Sequence, residues 1–171
     1  MQRLVGLLDT LIYGLIAPFG MLYVFPQFFL GLEDRLGIDL PQVPVLKYAG
    51  VLLLNAGAVL ALVCAAMMRW HRRGSFSPFR QPTTLLRHGP YAWVRHPMMW
   101  AASLVLIGLP LIHSSPLLLL WLLVWCRFAS VYIARYEEPY LLSLFGDSYR
   151  DYSEQTPRWF PRLGRRRVAT T

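Results

Sequence analysis

Residues Pro97 to Pro139 read PMMWAASLVLIGLPLIHSSPLLLLWLLVWCRFASVYIARYEEP, two apolar runs, Met98 to Ile112 and Leu117 to Ala134, separated by His113-Ser114-Ser115-Pro116. A helix needs about 20 apolar residues to cross roughly 30 Å of hydrocarbon, so the first run alone is short for a span. Its partner decides the reading. A brief polar break between two apolar helical runs makes an antiparallel helical hairpin. Pro97 suits the first turn of the leading helix, where its missing N–H would be unpaired in any case.

Two further apolar runs, Leu4 to Leu32 and Leu46 to Met68, precede the hairpin, and each is long enough to cross a bilayer. With 56% hydrophobic residues and a mean hydropathy of +0.40, the chain is too apolar for an ordinary water-soluble domain. The expected fold is an all-α integral membrane protein of four transmembrane helices, the last two a tight helical hairpin, followed by an interfacial C-terminal segment. Residues 1–171 form one membrane domain, with residues 1–68 as two scaffold spans. Arg3 followed by an apolar run resembles the start of a signal peptide, but no small-x-small cleavage site follows, so the run is read as a span. Pro18 and Pro26 should bend it. Asp9 is placed near the interface, and Asn55, deeper, is expected to hydrogen-bond to a neighbouring helix. Cys64 and Cys126 lie within apolar runs and read as small hydrophobes, not a disulfide.

A net charge of +8 would suggest nucleic acid in a soluble protein, but here its distribution speaks to orientation. Six arginines and no acid lie from Arg69 to Arg95, and seven more from Arg135 onward, whereas the first loop balances Arg35 and Lys47 against Glu33, Asp34 and Asp39. Both chain ends and the central loop are therefore expected in the cytoplasm, and four spans agree with this by returning the chain to the side on which it started. Basic residues on this loop also suit anionic lipid head groups.

The N-terminus of the Pro97 helix, with Arg95 and His96 beside it, can hold a carboxylate or phosphate. Mirror counting about Ser114-Ser115 sets His96 beside Ile133, Arg95 beside Ala134 and Tyr91 near the level of Glu138. Glu137 and Glu138 are the only acids between Asp39 and Asp147. At about 100° per residue, Glu138 shares a helix face with Arg127. Pro139 directly afterwards is expected to stop the helix, leaving two carboxylates at its electrostatically unfavourable end. Such a pair calls for a cationic or hydroxyl-bearing partner. The histidines and cysteines lack metal-ligand spacing, and neither a Ser-His-acid set nor a glycine-rich phosphate loop is present. Beyond Pro139, apolar and aromatic residues at helical spacing from Tyr140 to Tyr152, then Thr156-Pro157-Arg158-Trp159-Phe160-Pro161, suggest an amphipathic segment that caps the hairpin end.

Three blocks in order, Gly89-Pro90-Tyr91-Ala92-Trp93-Val94-Arg95-His96-Pro97, then Glu137-Glu138, then Phe145-Gly146 with Tyr149, Tyr152 and the Pro157-to-Pro161 ending, carry a resemblance. From about Gly74 to Pro161 the chain resembles the integral membrane methyltransferases that include isoprenylcysteine carboxyl methyltransferase and, more remotely, phosphatidylethanolamine N-methyltransferase. The resemblance implies that residues 69–171 supply a cofactor-binding loop, hairpin and cap around S-adenosylmethionine. It implies that Tyr91, His96, Pro97, Met98 and Met99 line the cofactor pocket, that Glu137 contacts the cofactor with Glu138 completing the pair, and that Thr83, Thr84, Leu85 and Leu86 border it. Arg95, His96 and Glu138 are the candidate catalytic residues, His96 or Glu138 taking the proton that an amine or thiol acceptor would lose. No metal is required, because a sulfonium donor is already activated.

Two positions depart from the resembled pattern. Met99 stands where a tyrosine is usual, and Ile133 stands where the isoprenylcysteine enzymes carry a substrate arginine, for which Arg135 or Arg127 could substitute. The expected function is methyl transfer to a lipophilic, membrane-borne small molecule or lipid-anchored substrate, with membrane lipids rather than nucleic acid as surroundings. The competing reading is a non-catalytic membrane scaffold or partner subunit that retains the fold. A transporter is disfavoured by the lack of an inverted repeat.

Overall fold

The computed structural model describes Ile16, Phe19–Arg72 and Thr84–Pro161, and all regular structure among these residues is helical. Asp9, Pro18, Thr83 and most of the arginine-rich central loop lie outside the described residues. A π turn, Gly20–Val24, leads into α1 (Phe25–Leu36); α2 (Pro44–Arg72), α3 (Pro97–His113) and α4 (Pro116–Tyr132) follow. A second π turn, Ile133–Glu137, carries α4 into α5 (Glu138–Phe145), and α6 (Asp147–Gln155) ends the helical part.

Pro44–Trp70 and Pro116–Phe145 are each long and apolar enough to cross a membrane, while Pro97–His113 is shorter. Only 11% of the most apolar stretch of the first is buried, whereas a core helix of a water-soluble protein would be mostly covered. Leu52 and Leu62 are 72% and 71% exposed. Such a surface needs hydrocarbon, not water, as its solvent, so the chain is membrane-associated.

The expected hairpin is present, and each part of its turn has a cause. Ser114 takes a left-handed conformation (φ 52°) to end α3, and Ser115 caps α4 by accepting from the Leu118 N–H at 3.0 Å. Pro116 occupies the first turn of α4, as Pro97 does that of α3. Glu33, buried at the far end of α1, completes the cap: its Oε1 accepts from the Ser115 hydroxyl at 2.8 Å and the Leu117 N–H at 2.7 Å. A carboxylate at a helix N-terminus meets both the free donors and the positive end of the helix dipole.

Both π turns have the same origin. Pro26 and Pro139 lack an N–H and crowd the carbonyl four residues back, and the residue before each proline bonds five residues back instead. The Phe25 N–H donates to Gly20 O, and the Glu138 N–H to Ile133 O. Pro139 therefore widens the helix where sequence reading expected a stop, and the chain continues helically to Phe145. The Asn55 expectation is also corrected: its amide donates to Val51 O of its own helix at 2.8 Å, which satisfies the group without a neighbour.

Small residues join α2 to α3. A Cβ on Gly108 would stand 2.6 Å from Gly50 O, one on Gly50 2.6 Å from Gly108 O, and one on Gly57 2.7 Å from Ala101 O. Contacts this close between backbones supply the dispersion energy that holds helices together in lipid, where burial of apolar surface gives little. On the other side of α3, Leu106, Leu122, Trp125 and Ala129 form the α3/α4 core, and Phe25 stacks on Trp121 at 4.9 Å to attach α1 to α4. Gly108→Val should lower stability by about 1–3 kcal/mol, because backbone on the facing helix cannot yield. Gly31→Ala, in open space on α1, should be neutral or slightly stabilising. Thermal unfolding in detergent checks the pair.

Candidate functional site

The site is assembled at the end of α3/α4 opposite Ser115. Gly89, at φ 60°, adopts a conformation that favours glycine, and a Cβ there would lie 2.9 Å from Met67 Cε on α2. The short turn Gly89–Ala92 then brings the chain to His96, whose extended-type backbone (φ −123°, ψ 62°) precedes α3. Its carbonyl accepts the Met99 and Trp100 N–H groups, which anchors it to the first helical turn.

His96 is 4% exposed and lies between two carboxylates. Nδ1 is 3.3 Å from Glu137 Oε1 and Nε2 is 3.4 Å from Glu138 Oε1. Only the imidazolium has a proton on both nitrogens, so this arrangement favours the charged ring. Burial opposes that charge, but hydrogen bonding to Glu137 and Glu138 outweighs it and raises the histidine above its ordinary range.

The two glutamates have different surroundings. Glu138 Oε1 accepts from Arg95 Nη1 at 2.9 Å and Arg158 Nε at 2.9 Å, while Oε2 accepts from Arg158 Nη2. Glu137 engages His96 through one oxygen, leaves the other without a partner among the described residues, and keeps a third of its side chain exposed. The two stand at the end of the π turn, one against each nitrogen of the His96 ring.

The C-terminal segment closes over this cluster, as its aromatic pattern suggested. Tyr152 Oη donates to Tyr91 O at 2.7 Å, the Arg95 N–H to Pro157 O at 2.9 Å, and Trp100 Nε1 to Trp159 O at 2.6 Å. Arg87 donates to Ser148 O. Tyr149 and Tyr152 are buried, and burial raises both phenols, which keeps them neutral.

Tyr91, Arg95, His96, Glu137 and Glu138 are thus gathered at one end of the hairpin. Pro97 is buried, Met98 exposed at the same helix start, and Thr84, Leu85 and Leu86 run from exposed to buried along the incoming loop. Met99 packs against the α3/α4 core. Mirror counting set His96 beside Ile133, and the ring's charged partners are the side chains of Glu137 and Glu138, about one turn further along. Helical side chains lean toward the N-terminus of their helix, so these carboxylates reach back over the preceding turn. The π turn interrupts the 100° register that set Glu138 on the Arg127 face, and the partners of Glu138 are Arg95 and Arg158. Arg127 and Arg135 are both exposed, and Arg158, which sequence reading did not single out, occupies the ion-pairing role. Its signal was its position as the lone arginine beside Pro157 in the capping segment.

The profile of the phospholipid methyltransferase family matches residues 45–148, more than half of the chain, and runs from α2 through the glutamate pair into α6. The chain belongs to this family. Among relatives, it is 30% identical over 130 residues to the cobalt-zinc-cadmium resistance protein CzcN of Cupriavidus metallidurans, covering 75% of this chain and 55% of that protein. It is 39% identical over 83 residues to the protein-S-isoprenylcysteine O-methyltransferase of Schizosaccharomyces pombe, covering 45% of this chain and 33% of the relative. The corresponding Tribolium castaneum enzyme is 39% identical over 80 residues, 45% of this chain and 27% of the relative. The chain thus spans about half the length, or less, of the curated relatives it matches. Family membership does not depend on the residues at 99 and 133.

Because the folded His96 binds its proton more tightly than an unfolded one, its contribution to stability is fully present below about pH 6.5 and is lost as pH rises through the raised folded value. Thermal midpoints should therefore fall above pH 6.5, and His96→Gln should flatten that part of the profile. An unchanged slope in the variant would show that His96 is not the titrating group.

Proposed function

We propose that the chain is an S-adenosylmethionine-dependent methyltransferase acting on a lipophilic, membrane-borne acceptor, with its site at the Glu137 end of the hairpin. The observation that carries this reading is the division between the two glutamates: Glu138 is engaged by Arg95 and Arg158, while Glu137, a third exposed, has one carboxylate oxygen on the buried His96 ring and the other without a partner among the described residues. Such an oxygen fits the ammonium or ribose hydroxyls of the cofactor, so the donor set is compatible with it.

When bound, S-adenosylmethionine would supply an activated methyl group. Glu137 would hold its polar part, with Thr83, Thr84, Leu85, Leu86, Tyr91, Pro97, Met98 and Met99 as the proposed bordering residues. The interlocked loop and C-terminal segment would exclude water and fix the alignment on which methyl transfer depends. His96, as an imidazolium, holds a proton and orients Glu137, and Arg95 and Arg158 balance Glu138. With His96 protonated and Glu138 engaged by Arg95 and Arg158, neither of these two is free to take the proton of an amine or thiol acceptor.

Ile133 is fully buried, so the position of the substrate arginine in the isoprenylcysteine enzymes is packing here. That supports recognition through the hydrocarbon portion of the acceptor, where each buried methylene contributes about 0.8 kcal/mol. The reading includes four membrane spans and a cytoplasmic site, on the strength of the arginine-rich sequence at the hairpin end that carries Arg95 and Arg158.

The test supplies labelled S-adenosylmethionine and native lipid extract to the reconstituted protein. Label should pass into the organic phase and depend on acyl or prenyl length, and Glu137→Gln should weaken cofactor binding about ten- to a hundredfold, the equivalent of roughly 1.5–3 kcal/mol. Absence of cofactor binding would leave the non-catalytic scaffold. Equal turnover of short, soluble acceptors would overturn the lipophilic assignment.

A further inference from the structure

Arg158 contacts neither α3 nor His96 in any hydrogen bond, yet it grips both oxygens of Glu138 in the bidentate geometry that a guanidinium forms with a carboxylate. We propose that Arg158 is a positioning residue: by fixing Glu138 from the C-terminal segment, it holds the His96 ring and so leaves Glu137 as the glutamate presented to ligand. The inference rests on the proposed methyltransferase site for its functional meaning, but the arrangement itself is independent of any cofactor.

The geometry gives three reasons. Glu138 Oε1 is shared by Arg95, Arg158 and His96, so its rotamer determines where the ring's Nε2 partner stands. Arg95 alone reaches one oxygen, and one contact leaves the carboxylate free to turn about its terminal bond. The bidentate grip removes that freedom. Finally, Arg158 lies between Pro157 and Trp159, whose carbonyls accept from the Arg95 N–H and Trp100 Nε1, so the arginine is itself held on one side to the incoming loop and on the other to α3. The second carboxylate, Glu137, is then positioned through His96 Nδ1.

Charged groups around the ring are Arg95 from the loop, Glu137 and Glu138 from the π turn and α5, and Arg158 from the tail, with Tyr149 of α6 close enough to feel Glu138 and Arg95. Replacing Arg158 by lysine keeps the positive charge but loses the fork, so Glu138 can turn away from Nε2 and the hydrogen bond that favours the imidazolium weakens. The proton on His96 should consequently be held less tightly in that variant.

Histidine-labelled full-length protein in detergent, titrated by NMR with the His96 signal assigned by its loss in His96→Gln, provides a readout that needs no activity. Arg158→Lys should move the His96 midpoint downward by roughly half a pH unit. Arg158→Ala also removes a positive charge, which by itself tightens the proton, so its midpoint should lie above that of Arg158→Lys. Trp159→Ala loosens the same segment without touching Glu138 and should leave the midpoint in place. A midpoint that is unmoved or raised in folded Arg158→Lys, or equally lowered in Trp159→Ala, would overturn the assignment. In parallel, S-adenosylmethionine affinity should fall about tenfold in Arg158→Ala and about threefold in Arg158→Lys. If the midpoint moves as expected but wild-type protein binds no cofactor, the positioning role stands and the methyltransferase reading fails.

Discussion

A histidine that is almost wholly buried at the end of an apolar hairpin cannot hold a proton there unless carboxylates meet it, and His96 is met by one on each ring nitrogen. Glu138 is in turn met by cations, Arg95 from the incoming loop and Arg158 from the C-terminal segment. The loop, the hairpin and the tail are therefore joined by one connected set of charges. Removing a member leaves another buried without a partner, which is why the cluster fixes geometry even where its net contribution to stability is small.

The rest of the fold brings these groups to one depth. Glycine contacts seat α2 against α3, and the buried Glu33 pins the opposite end of the hairpin by capping α4. Pro139 denies the helix an N–H where a regular turn would need it, and the helix continues through a π turn to Glu137 and Glu138, whose carboxylates meet His96.

Much of this was legible in the sequence because its causes are local. The Ser114-Ser115-Pro116 break, the prolines at helix starts and the alternation of apolar runs with arginine-rich segments each depend on neighbours a few residues away. The gathering of Tyr91, Arg95, His96 and the glutamates followed from the hairpin alone. What escaped depended on distant pairings or on departures from regular spacing. Glu33 reaches Ser115 across 82 residues, and nothing near Glu33 distinguishes it from the acids of an exposed loop. Arg158 resembles any arginine of a basic tail until the tail folds back onto Glu138. The carboxylates that meet His96 come from about one turn beyond the residue that mirror counting set beside it, because side chains on the facing helix lean back toward its N-terminus.

The most direct measurement is an experimental structure of the protein in lipid with S-adenosylhomocysteine, the demethylated cofactor, bound. The account predicts the ligand at the hairpin end formed by the π turn and the Tyr91-to-His96 segment, with Glu137 within hydrogen-bond distance, about 2.7–3.2 Å, and Glu138 still held by Arg95 and Arg158. A ligand bound at the Glu33 and Ser115 end, or one that contacts Glu138 while Glu137 faces away, would contradict it.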